Sequence, residues 1–323
     1  MTIPKRIPNH LLYTIAVDYY LSGATQEEIG EKYGISRPQI SRYLRKAREE
    51  KIVEITVHPP TEIDQVALER GLEQKYGLKK AVVVPFLRRK YPPEELIRTI
   101  AISAAKTVKK LISIHQRIGI GWGKTVYQTV LAICSDRSGE RPKPLMKREL
   151  AFYPLIGGLG QSLPYYQVNT MIDRMAEYYH AKSRFFSVPA MTLKGSMLPT
   201  AMREDYESIV EVWKSVDLAI IGLGGPIQQS EILKSEIDKD TIQRLIEQRA
   251  IGDILGRFFD ERGVTCPTDL DSRLLGLDLE RLKSIKDVVC VCGGKNKVRA
   301  IQVALEHGFF NHLITDQQTA SEL

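Results

Sequence analysis

The 323-residue sequence has few cysteines and histidines, and they do not form a metal-binding or nucleophilic motif. Its four cysteines are Cys134, Cys266, Cys290 and Cys292, and no second Cys/His cluster lies at zinc-site spacing from the close pair. The six histidines are scattered, and none forms an H-E-x-x-H motif. We therefore expect reduced, structural cysteines, no bound metal and no cofactor.

The sequence also lacks a long apolar segment. No stretch approaches the ~20 apolar residues that a membrane helix requires, and no apolar signal-peptide core follows the basic N-terminus, MTIPKRIPNH. Hydrophobic residues make up 43% of the chain and charged residues 26%, which is typical of globular proteins rather than of disordered or membrane-spanning chains. We therefore expect a cytoplasmic protein without a membrane partner.

The length of the chain predicts two domains, and its charge favours a polyanionic partner. A chain of 323 residues exceeds the usual size of a single domain. Its formal net charge is +7 and its pI is about 9.1, and a basic balance favours association with polyanions. The position of the charge is more informative than the sum, because the strongly basic stretch ISRPQISRYLRKARE lies near the N-terminus.

Three helices are predicted in the first fifty residues. One face of the first helix carries apolar residues, namely Leu12, Ile15, Ala16, Tyr19 and Tyr20. Thr25 and Glu28 form a capping-box pattern at the start of the second helix, and Ser36 and Gln39 repeat it before the third. Gly34 separates the second helix from the third. Two short capped helices joined by a glycine turn, with a basic second helix, have the pattern of a helix-turn-helix motif.

The third helix is predicted to contact DNA. Ile40, Leu44 and Ala47 recur at i, i+4 and i+7 and should pack inward, which places arginine and glutamine side chains on the outer faces. Arginine and glutamine match the edges of guanine and adenine in the major groove, and further basic side chains neutralise phosphates. The predicted DNA-binding residues are Ser36, Arg37, Gln39, Ser41, Arg42 and Arg45. The alternative, a solvated charged helix, does not explain the paired caps and the glycine turn.

A short strand and a linker are predicted after this helix. Residues of alternating type in KIVEITVH are followed by two prolines, a pattern typical of a wing-like strand that ends at a linker. We therefore expect a DNA-binding domain at residues 1–58 and a second domain at 59–323. A helix over residues 61–76 is expected to connect them and could also provide a dimer contact.

The second domain is predicted to be α/β with a mostly parallel sheet. Short apolar runs recur, and most are followed by glycines and then by a helical pattern. These runs are KAVVVP, RIGIGWG, FYPLIGGLG, SRFFSVP, DLAIIGLGGP, VVCVCGG and HLITD. Glycine-rich turns at the carboxyl ends of parallel strands bind anions, because backbone N–H groups and helix dipoles converge there. None of the turns has the dinucleotide-binding or P-loop pattern, so those two classes are disfavoured.

Charged residues in and near the turns indicate a small anionic ligand. Lys124 lies in one turn, and Lys295 and Lys297 lie in another. Asp253, in AIGDILGRFFDERG, has two interpretations. It either caps an apolar helix or accepts hydrogen bonds from the hydroxyl groups of a sugar.

Taken in order, these motifs resemble the SorC family of bacterial sugar-responsive transcriptional regulators. The motifs are the N-terminal helix-turn-helix pattern followed by IGWGKT, PLIGGLG, IGLGGP, AIGDILGRFFDERG, CGGKNKVRAI and LITDQQTA, and they cover nearly the whole chain. The resemblance implies an effector domain similar to sugar-phosphate isomerases and glucosamine-phosphate deaminases. It further implies that a phosphorylated sugar or related metabolite controls the affinity for operator DNA, and that the protein is a homo-oligomer, a dimer or a tetramer.

The resemblance also implies the residues of an effector site. They are Gly121, Trp122, Gly123, Lys124 and Thr125 in a first loop, Gly157, Gly158 and Gly160 in a second, Gln167 and Asn169 after it, and Asp253 and Lys297. In this assignment Asp253 accepts hydrogen bonds from sugar hydroxyls, and Lys297 contacts charge on the ligand. Cys292 departs from the usual alanine before the glycine pair, and SLPYYQVN forms an aromatic stretch of its own. These departures leave the identity of the ligand open.

An active sugar-phosphate isomerase or deaminase that carries a DNA-binding segment is the alternative function. Acid/base catalysis needs a carboxylate or histidine within reach of the substrate carbon. Only Asp253 can be placed near the loops from the sequence, and no histidine accompanies it. We therefore assign no catalytic residues and expect a regulator rather than an enzyme.

Overall fold

The computed structural model of the chain describes residues 8–55, 63–85, 92–135, 149–159, 167–230 and 237–323. The chain forms two compact units, Met1–Pro60 and Thr61–Leu323. Among the described residues, the first unit contains helices alone and the second contains helices and strands. No helix in these ranges is long and apolar enough to cross a membrane.

The first unit is formed by α1 (Asn9–Tyr20), α2 (Gln26–Tyr33) and α3 (Arg37–Glu49). Its interior contains two adjacent apolar clusters, the first of Ile15, Ile29, Ile40 and Leu44 and the second of Leu12, Ala16 and Ala47. The predicted inner face of α3 is therefore confirmed. The predicted inner face of α1 is too wide, because Tyr20 at its edge is 36% exposed.

The two predicted capping boxes have different outcomes. Thr25 and Glu28 form one, in which the Thr25 hydroxyl accepts from the Glu28 N–H and the Glu28 carboxylate accepts from the Thr25 N–H at 2.8 Å. Gly34 then ends α2 in the left-handed conformation, with φ of 65°. The second prediction was wrong. The Ser36 hydroxyl makes no capping hydrogen bond, and the Gln39 amide extends along α3 to Tyr43.

The predicted wing strand is absent from the described residues that follow α3. Lys51 leaves the helix with φ of 56°, and residues 52–55 form no ladder. Ile52 and Val53 instead pack against the second apolar cluster, and both of their N–H groups donate to the carbonyl of Ala47. Their apolar character therefore serves the packing of the first unit. Residues 56–58 of the predicted strand lie outside the described residues.

The second unit contains one large sheet and one hairpin. The strands of the sheet are β1 (Lys80–Val84), β2 (Arg117–Ile120), β3 (Ala151–Pro154), β4 (Lys182–Ser183), β5 (Leu218–Ile221), β8 (Asp287–Val291) and β9 (His312–Asp316). The hairpin consists of β6 (Gly252–Ile254) and β7 (Arg257–Phe259). The order in the sheet is β1-β9-β8-β5-β2-β3-β4, and all its pairings are parallel. Six of the seven apolar runs overlap one of these strands, whereas SRFFSVP shares only Ser183 with β4. The predicted parallel α/β architecture is confirmed.

Helices precede, connect and follow the strands of the second unit. They are α4 (Ile63–Tyr76), α5 (Pro93–Ile112), α6 (Lys124–Cys134), α7 (Val168–Tyr179), α8 (Thr200–Trp213), α9 (Lys239–Glu247), α10 (Asp269–Arg273), α11 (Leu279–Ser284), α12 (Val298–Glu306) and α13 (Gln317–Glu322). The helix predicted over residues 61–76 corresponds to α4, which buries Leu72 against the second unit. Val66, on the same helix, is 39% exposed.

The central strands of the sheet are buried along their whole length. All five residues of β8 are buried, and so are all four of β5. Cys290 and Cys292 lie on β8 and directly after it as free thiols, with their Sγ atoms 3.5 Å apart. Burial, together with the neighbouring Cys292, raises the pKa of Cys290 well above that of a free thiol. A neutral, buried thiol of this kind packs as a small apolar side chain.

The order of the strands creates a crevice at one end of the sheet. From β2 the chain moves outward to β3 and β4, then returns to β5 on the other side of β2 and continues to β8 and β9. In open parallel sheets ligands bind where the order reverses in this way, beyond the carboxyl ends of the strands. The glycine-rich loops after β2 and β5 lie at this switch point.

Candidate functional site

The outer surface of α3 is polar and basic. Its exposed residues include Ser36, which precedes the helix, and Arg37, Gln39, Arg42, Arg45 and Arg48, and Ser41 is half-buried. Pro38 and Glu49 are exposed as well. Among the residues that the structure describes, none of the four arginines forms an ion pair, whereas Lys46 lies 3.6 Å from Glu50. The arginine charges are therefore available to a polyanion such as the phosphate backbone of DNA.

Gly30, which has no part in the predicted motif, fixes the approach of α3 to α2. A Cβ atom at Gly30 would lie 2.6 Å from the carbonyl oxygen of Ile35. The chain just before α3 therefore crosses directly over the last turns of α2, where only glycine fits. Because Gly30 is an interior position of α2, a glycine with low helix propensity was the signal in the sequence.

The loop after β2 lies at the switch point and leads directly into α6. The Gly121 N–H donates to the carbonyl of Ile220 at 2.9 Å, which ties the loop to β5. Trp122 is 5% exposed and forms part of the core. Gly123 precedes α6 with φ of 120° and provides no side-chain cap, so the first N–H groups of this 11-residue helix adjoin the crevice. Lys124 is exposed and Thr125 is buried in the first turn of the same helix.

Asp253 lies over the loop that follows β5. The backbone of Asp253 pairs with that of Gly224 through two hydrogen bonds, of 2.9 and 3.3 Å. A Cβ atom at Gly224 would lie 1.9 Å from the Asp253 Oδ1 atom, so the carboxylate can occupy this position only above a glycine. The Gly256 N–H donates to the Oδ2 atom at 3.1 Å. Asp253 is thus a fixed carboxylate at the switch point.

The interpretation of Asp253 as a helix cap was wrong. The segment after it forms the β6–β7 hairpin rather than a helix, and Asp253 pairs with Phe258 across this hairpin. Leu255 and Gly256 form the turn, with φ of 54° and 77°. A two-residue turn with both φ values positive matches the twist of a hairpin.

Lys297 lies on the other side of the loop after β5. Its Nζ atom donates to the carbonyl oxygen of Leu223 at 2.8 Å, and the residue directly precedes α12. Burial raises the pKa of Asp253 to about 6, while the Gly256 N–H and the charge of Lys297 act in the opposite direction. One buried hydrogen-bond acceptor and one cation therefore flank the same short loop.

The second predicted loop is hydrogen-bonded to other segments of the chain. The Gly157 N–H donates to the carbonyl of Leu275 at 3.0 Å, and the Gly158 N–H donates to that of Val188 at 3.2 Å. A Cβ atom at Gly157 would lie 2.4 Å from the carbonyl oxygen of Pro189. Gly157 therefore allows close backbone packing, and the N–H groups of both glycines have protein acceptors. Gly160 lies outside the described residues.

The two amide residues after this loop differ in their surroundings. Asn169 exchanges two hydrogen bonds of 3.0 Å with the backbone of Phe186, which fixes its side chain. Gln167 precedes α7, and its Oε1 atom lies 3.5 Å from where a Cβ atom of Gly158 would be. Gln167 is therefore beside the second loop, whereas the amide of Asn169 is engaged in holding the segment after β4.

The CGG turn after β8 binds a carboxylate of the chain itself, that of Asp316. The Gly294 N–H donates to the Asp316 carboxylate and to the Thr319 hydroxyl, both at 2.9 Å. A Cβ atom at Gly293 would lie 2.4 Å from the same carboxylate. This role of Asp316 was not predicted, and its signal in the sequence was its place in the motif LITD. From the turn region, Lys297 and Asn296 both contact the segment after β5, Lys297 at the Leu223 carbonyl and Asn296 at the Gln229 side chain.

In the described part of the chain, no group of histidine, cysteine and acidic residues is arranged to hold a metal ion. The fold and the two sites define a class of protein, in which a helix-turn-helix unit is followed by a parallel α/β domain with a ligand crevice at its switch point. The family described as "Putative sugar-binding domain" matches residues 62–323, and the family described as "Helix-turn-helix domain" matches residues 14–55. The chain belongs to the first of these families and, with it, to the SorC family of bacterial sugar-responsive transcriptional regulators.

Several known proteins are similar to the chain over nearly its whole length. The deoxyribonucleoside regulator of Bacillus subtilis is 29% identical over 310 residues, which cover 94% of each chain. The sorbitol operon regulator of Klebsiella pneumoniae is 28% identical over 317 residues, which cover 97% of each chain. The crystal structure of full-length SorC from Klebsiella pneumoniae superposes with a TM-score of 0.73 over 98% of this chain and 99% of that one. The chain is accordingly a DNA-binding transcriptional regulator with an effector-binding domain.

Proposed function

We propose that α3 binds operator DNA and that a phosphorylated sugar or a related metabolite, bound at the switch point between β2 and β5, controls this binding. The observation that carries the proposal is the position of Asp253 and Lys297 on two sides of the loop after β5. A buried carboxylate suits the hydroxyl groups of a sugar, and a lysine beside it suits an anionic group.

The loop after β2 supplies the second part of the proposed effector site. The N-terminus of α6 has no side-chain cap, and its dipole and N–H groups attract a phosphate. Lys124 and Thr125 lie in its first turn. In the proposed complex, the phosphate is held between this helix terminus and Lys297, and Asp253 accepts hydrogen bonds from the sugar. Gly121, Trp122 and Gly123 shape the loop, and Gln167 borders the site from the second loop.

On the DNA side, we propose that Arg37, Gln39 and Arg42 read base edges. Residues near the N-terminus of a recognition helix contact bases, and the later turns lie closer to the backbone. Arg45 and the hydroxyl groups of Ser36 and Ser41 then contact phosphates. This assignment is supported by the exposure of the arginines and by the burial of the opposite face of α3.

We further propose that the chain acts as a regulator without enzymatic activity. In the described loops at the switch point, Asp253 is the only carboxylate placed over the crevice, and no histidine adjoins it. An isomerase or a deaminase would need a second acid/base group there. Incubation with glucose 6-phosphate, ribose 5-phosphate and glucosamine 6-phosphate should therefore give no isomerised or deaminated product.

The proposal includes an assembly and a location. A DNA-binding domain at residues 1–58 and an effector domain at 59–323 fit the two compact units. Helix-turn-helix proteins commonly bind paired half-sites as symmetric assemblies, so we propose a homo-oligomer, a dimer or a tetramer. Because its partner is operator DNA, we place the protein in the bacterial cytoplasm.

Lys297 provides the experiment that tests the effector site. A ligand that binds only the native state raises the free energy of unfolding by RT ln(1 + [L]/Kd), and the melting temperature rises with it. We expect at least one of a set of sugar phosphates to raise it for the wild type, and the matching unphosphorylated sugar to have a smaller effect. Lys297→Ala should lose this response and keep its binding to DNA. The control is Lys295→Ala, because Lys295 lies in the same turn but pairs with Glu322 at 3.6 Å.

Titrations of operator DNA with and without the sugar phosphate complete the test. The wild type and Lys295→Ala should change their DNA affinity when the sugar phosphate is added, and Lys297→Ala should not. If Lys297→Ala responds at the wild-type concentration, the proposed effector site is wrong at its charged end.

A further inference from the structure

Two polar side chains on the outer surface of α3 are joined to each other. Gln39, in the first turn, donates from Nε2 to the hydroxyl oxygen of Tyr43 at 2.8 Å. The two residues are four positions apart and therefore share one face of the helix. Gln39 is exposed, whereas Tyr43 is half-buried. This pair is distinct from the arginines of α3, which have no such partner among the described residues.

The ring of Tyr43 is anchored in the core of the first unit. It packs against both apolar clusters, the one that contains Ile40 and Leu44 and the one that contains Leu12 and Ala47. A ring held on both sides has little rotational freedom, so its hydroxyl group is a fixed point on the surface of α3. A hydrogen bond to a fixed point also fixes the more flexible partner, which is Gln39.

The absent capping box explains why Gln39 is available for this bond. In a capping box the side chain at this position turns back to the N–H of the residue before the helix. Here Ser36 makes no capping hydrogen bond, and the Gln39 amide extends in the other direction. The geometry therefore directs the amide along the outer surface of the recognition helix.

The hydrogen bond to Tyr43 uses one N–H of the Gln39 amide and leaves the two groups of the amide that recognise adenine. A glutamine amide has two N–H donors and one carbonyl acceptor, and Tyr43 accepts from one of the donors. The remaining N–H matches the N7 acceptor of adenine, and the carbonyl oxygen matches its N6 amino group. Fixing the amide in advance lowers the entropy that the side chain loses when it binds the base.

We propose that Tyr43 is a specificity-determining residue that holds the Gln39 amide in the orientation that reads adenine, so that the pair selects one A·T base pair in the operator. This inference rests on the proposed function, in which α3 lies in the major groove. Tyr43 acts through Gln39 and is a positioning residue in this arrangement.

Selection from a randomised duplex DNA library tests the inference, because the library contains every short operator sequence. The full-length wild type, Gln39→Ala, Tyr43→Phe and Tyr13→Phe are each used to enrich bound sequences, which are then counted base by base. Phenylalanine keeps the ring of residue 43 in the core and removes only the hydroxyl group. Tyr13→Phe is the matched control, because it removes a tyrosine hydroxyl from α1 at a residue that is 61% exposed.

We expect the wild type to enrich a motif with one position that prefers A·T. Gln39→Ala should reduce this preference roughly 5- to 150-fold, the discrimination given by one bidentate contact. Tyr43→Phe should relax the same position about fivefold, as expected for the loss of one hydrogen bond, and should keep its affinity for nonspecific DNA. Tyr13→Phe should give the wild-type motif.

Two results would overturn the inference but leave the proposed DNA-binding function unaffected. One is that Tyr43→Phe keeps the wild-type preference at the position that Gln39→Ala relaxes. The other is that Tyr43→Phe weakens binding to all sequences equally, which is the result expected of a purely structural tyrosine. If the wild type enriches no motif, the proposed DNA-binding function is wrong, and the inference is wrong with it.

Discussion

At the scale of single residues, Asp253 is a buried group whose charge opposes folding. Burial raises its pKa to about 6, against an unfolded value of about 3.9. A carboxyl group whose pKa is higher in the folded state contributes stability at low pH, and this contribution is lost as the pH rises through about 6. At neutral pH the ionised Asp253 therefore destabilises the ligand-free protein. A group kept at such a position despite this effect is typical of a functional site.

Replacing Asp253 by asparagine should stabilise the ligand-free protein. The amide is uncharged and its oxygen can still accept from the Gly256 N–H, so we expect the free energy of unfolding at pH 7.5 to rise by on the order of 2 kcal/mol. The gain should be about half as large at pH 5, where the wild-type carboxyl group is mostly protonated. Urea unfolding at both pH values measures it. Binding of the sugar phosphate should weaken in the same variant, because asparagine offers one acceptor oxygen instead of two.

Asp287 provides a control with the opposite sign. Burial opposes its charge, but hydrogen bonds from His312, Lys79 and His115, of 2.8 to 2.9 Å, outweigh burial and lower its pKa to about 2. A lowered carboxyl pKa stabilises the fold above the unfolded value, and this stability is lost as the pH falls towards 2. Asp287→Asn should therefore lower the free energy of unfolding at pH 7.5, by about 3 kcal/mol. If Asp253→Asn destabilises the protein as well, our description of Asp253 is wrong.

At the scale of elements, the strands were predictable and the hairpin was not. Six of the seven strands of the large sheet overlap apolar runs of the sequence, because strands buried on both faces contain few polar residues. The exception is the edge strand β4, whose two residues are polar and exposed. The hairpin after Asp253 turns at Leu255, a residue with φ of 54°. Leucine rarely adopts this conformation, so Gly256 was the one turn residue in ILGRFF, and the segment was interpreted as a helix.

The two capping patterns show why a local motif does not always determine its own hydrogen bonds. Both patterns begin with a hydroxyl residue and have a side chain with a carbonyl or carboxyl group three positions later. Glu28 completes its capping box, whereas Gln39 bonds to Tyr43 on the following turn. Tyr43, the partner of Gln39, lies outside the four-residue pattern.

Thr25→Ala and Ser36→Ala should therefore differ in their effects on the first unit. Loss of the Thr25 cap should lower the stability of α2 by about 1 kcal/mol, which is about fivefold faster amide hydrogen exchange in that helix. Ser36 makes no capping hydrogen bond, so Ser36→Ala should change exchange in α3 by less than about twofold. Hydrogen exchange of the full-length variants measures both. Equal effects at the two positions would contradict the assignment of a single capping box.

At the scale of the whole molecule, the predicted site residues separate into two groups according to where their partners lie. Asp253 and Lys297 flank one loop, as an effector site requires. Gly157 and Asn169 are instead engaged by residues such as Leu275 and Phe186, which lie on other segments of the chain. Motifs place residues in loops, but the hydrogen-bond partner of each loop is set by the packing of the sheet. The sequence could therefore predict which residues lie in loops near the carboxyl ends of the strands, and it could not predict which of their groups are engaged by other segments.

The distribution of charge over the two units leads to a last prediction, on the salt dependence of DNA binding. The logarithm of the affinity should fall linearly with the logarithm of the salt concentration, with a slope near −0.9 for each phosphate neutralised. Arg45 lies on a later turn of α3, where we expect a phosphate contact, so Arg45→Ala should reduce the magnitude of the slope by about 1. Gln39→Ala should keep the slope, because an amide neutralises no phosphate.

Lys239→Ala is the matched control, since it changes the net charge by the same amount but alters an exposed residue of α9 in the second unit. Its slope should equal that of the wild type, because counterions are released only where a cation contacts a phosphate. Equal changes in Arg45→Ala and Lys239→Ala would mean that the overall charge, rather than the surface of α3, sets the electrostatic part of binding. Different changes would place the contact on α3, since both variants lose one positive charge and differ only in where it was.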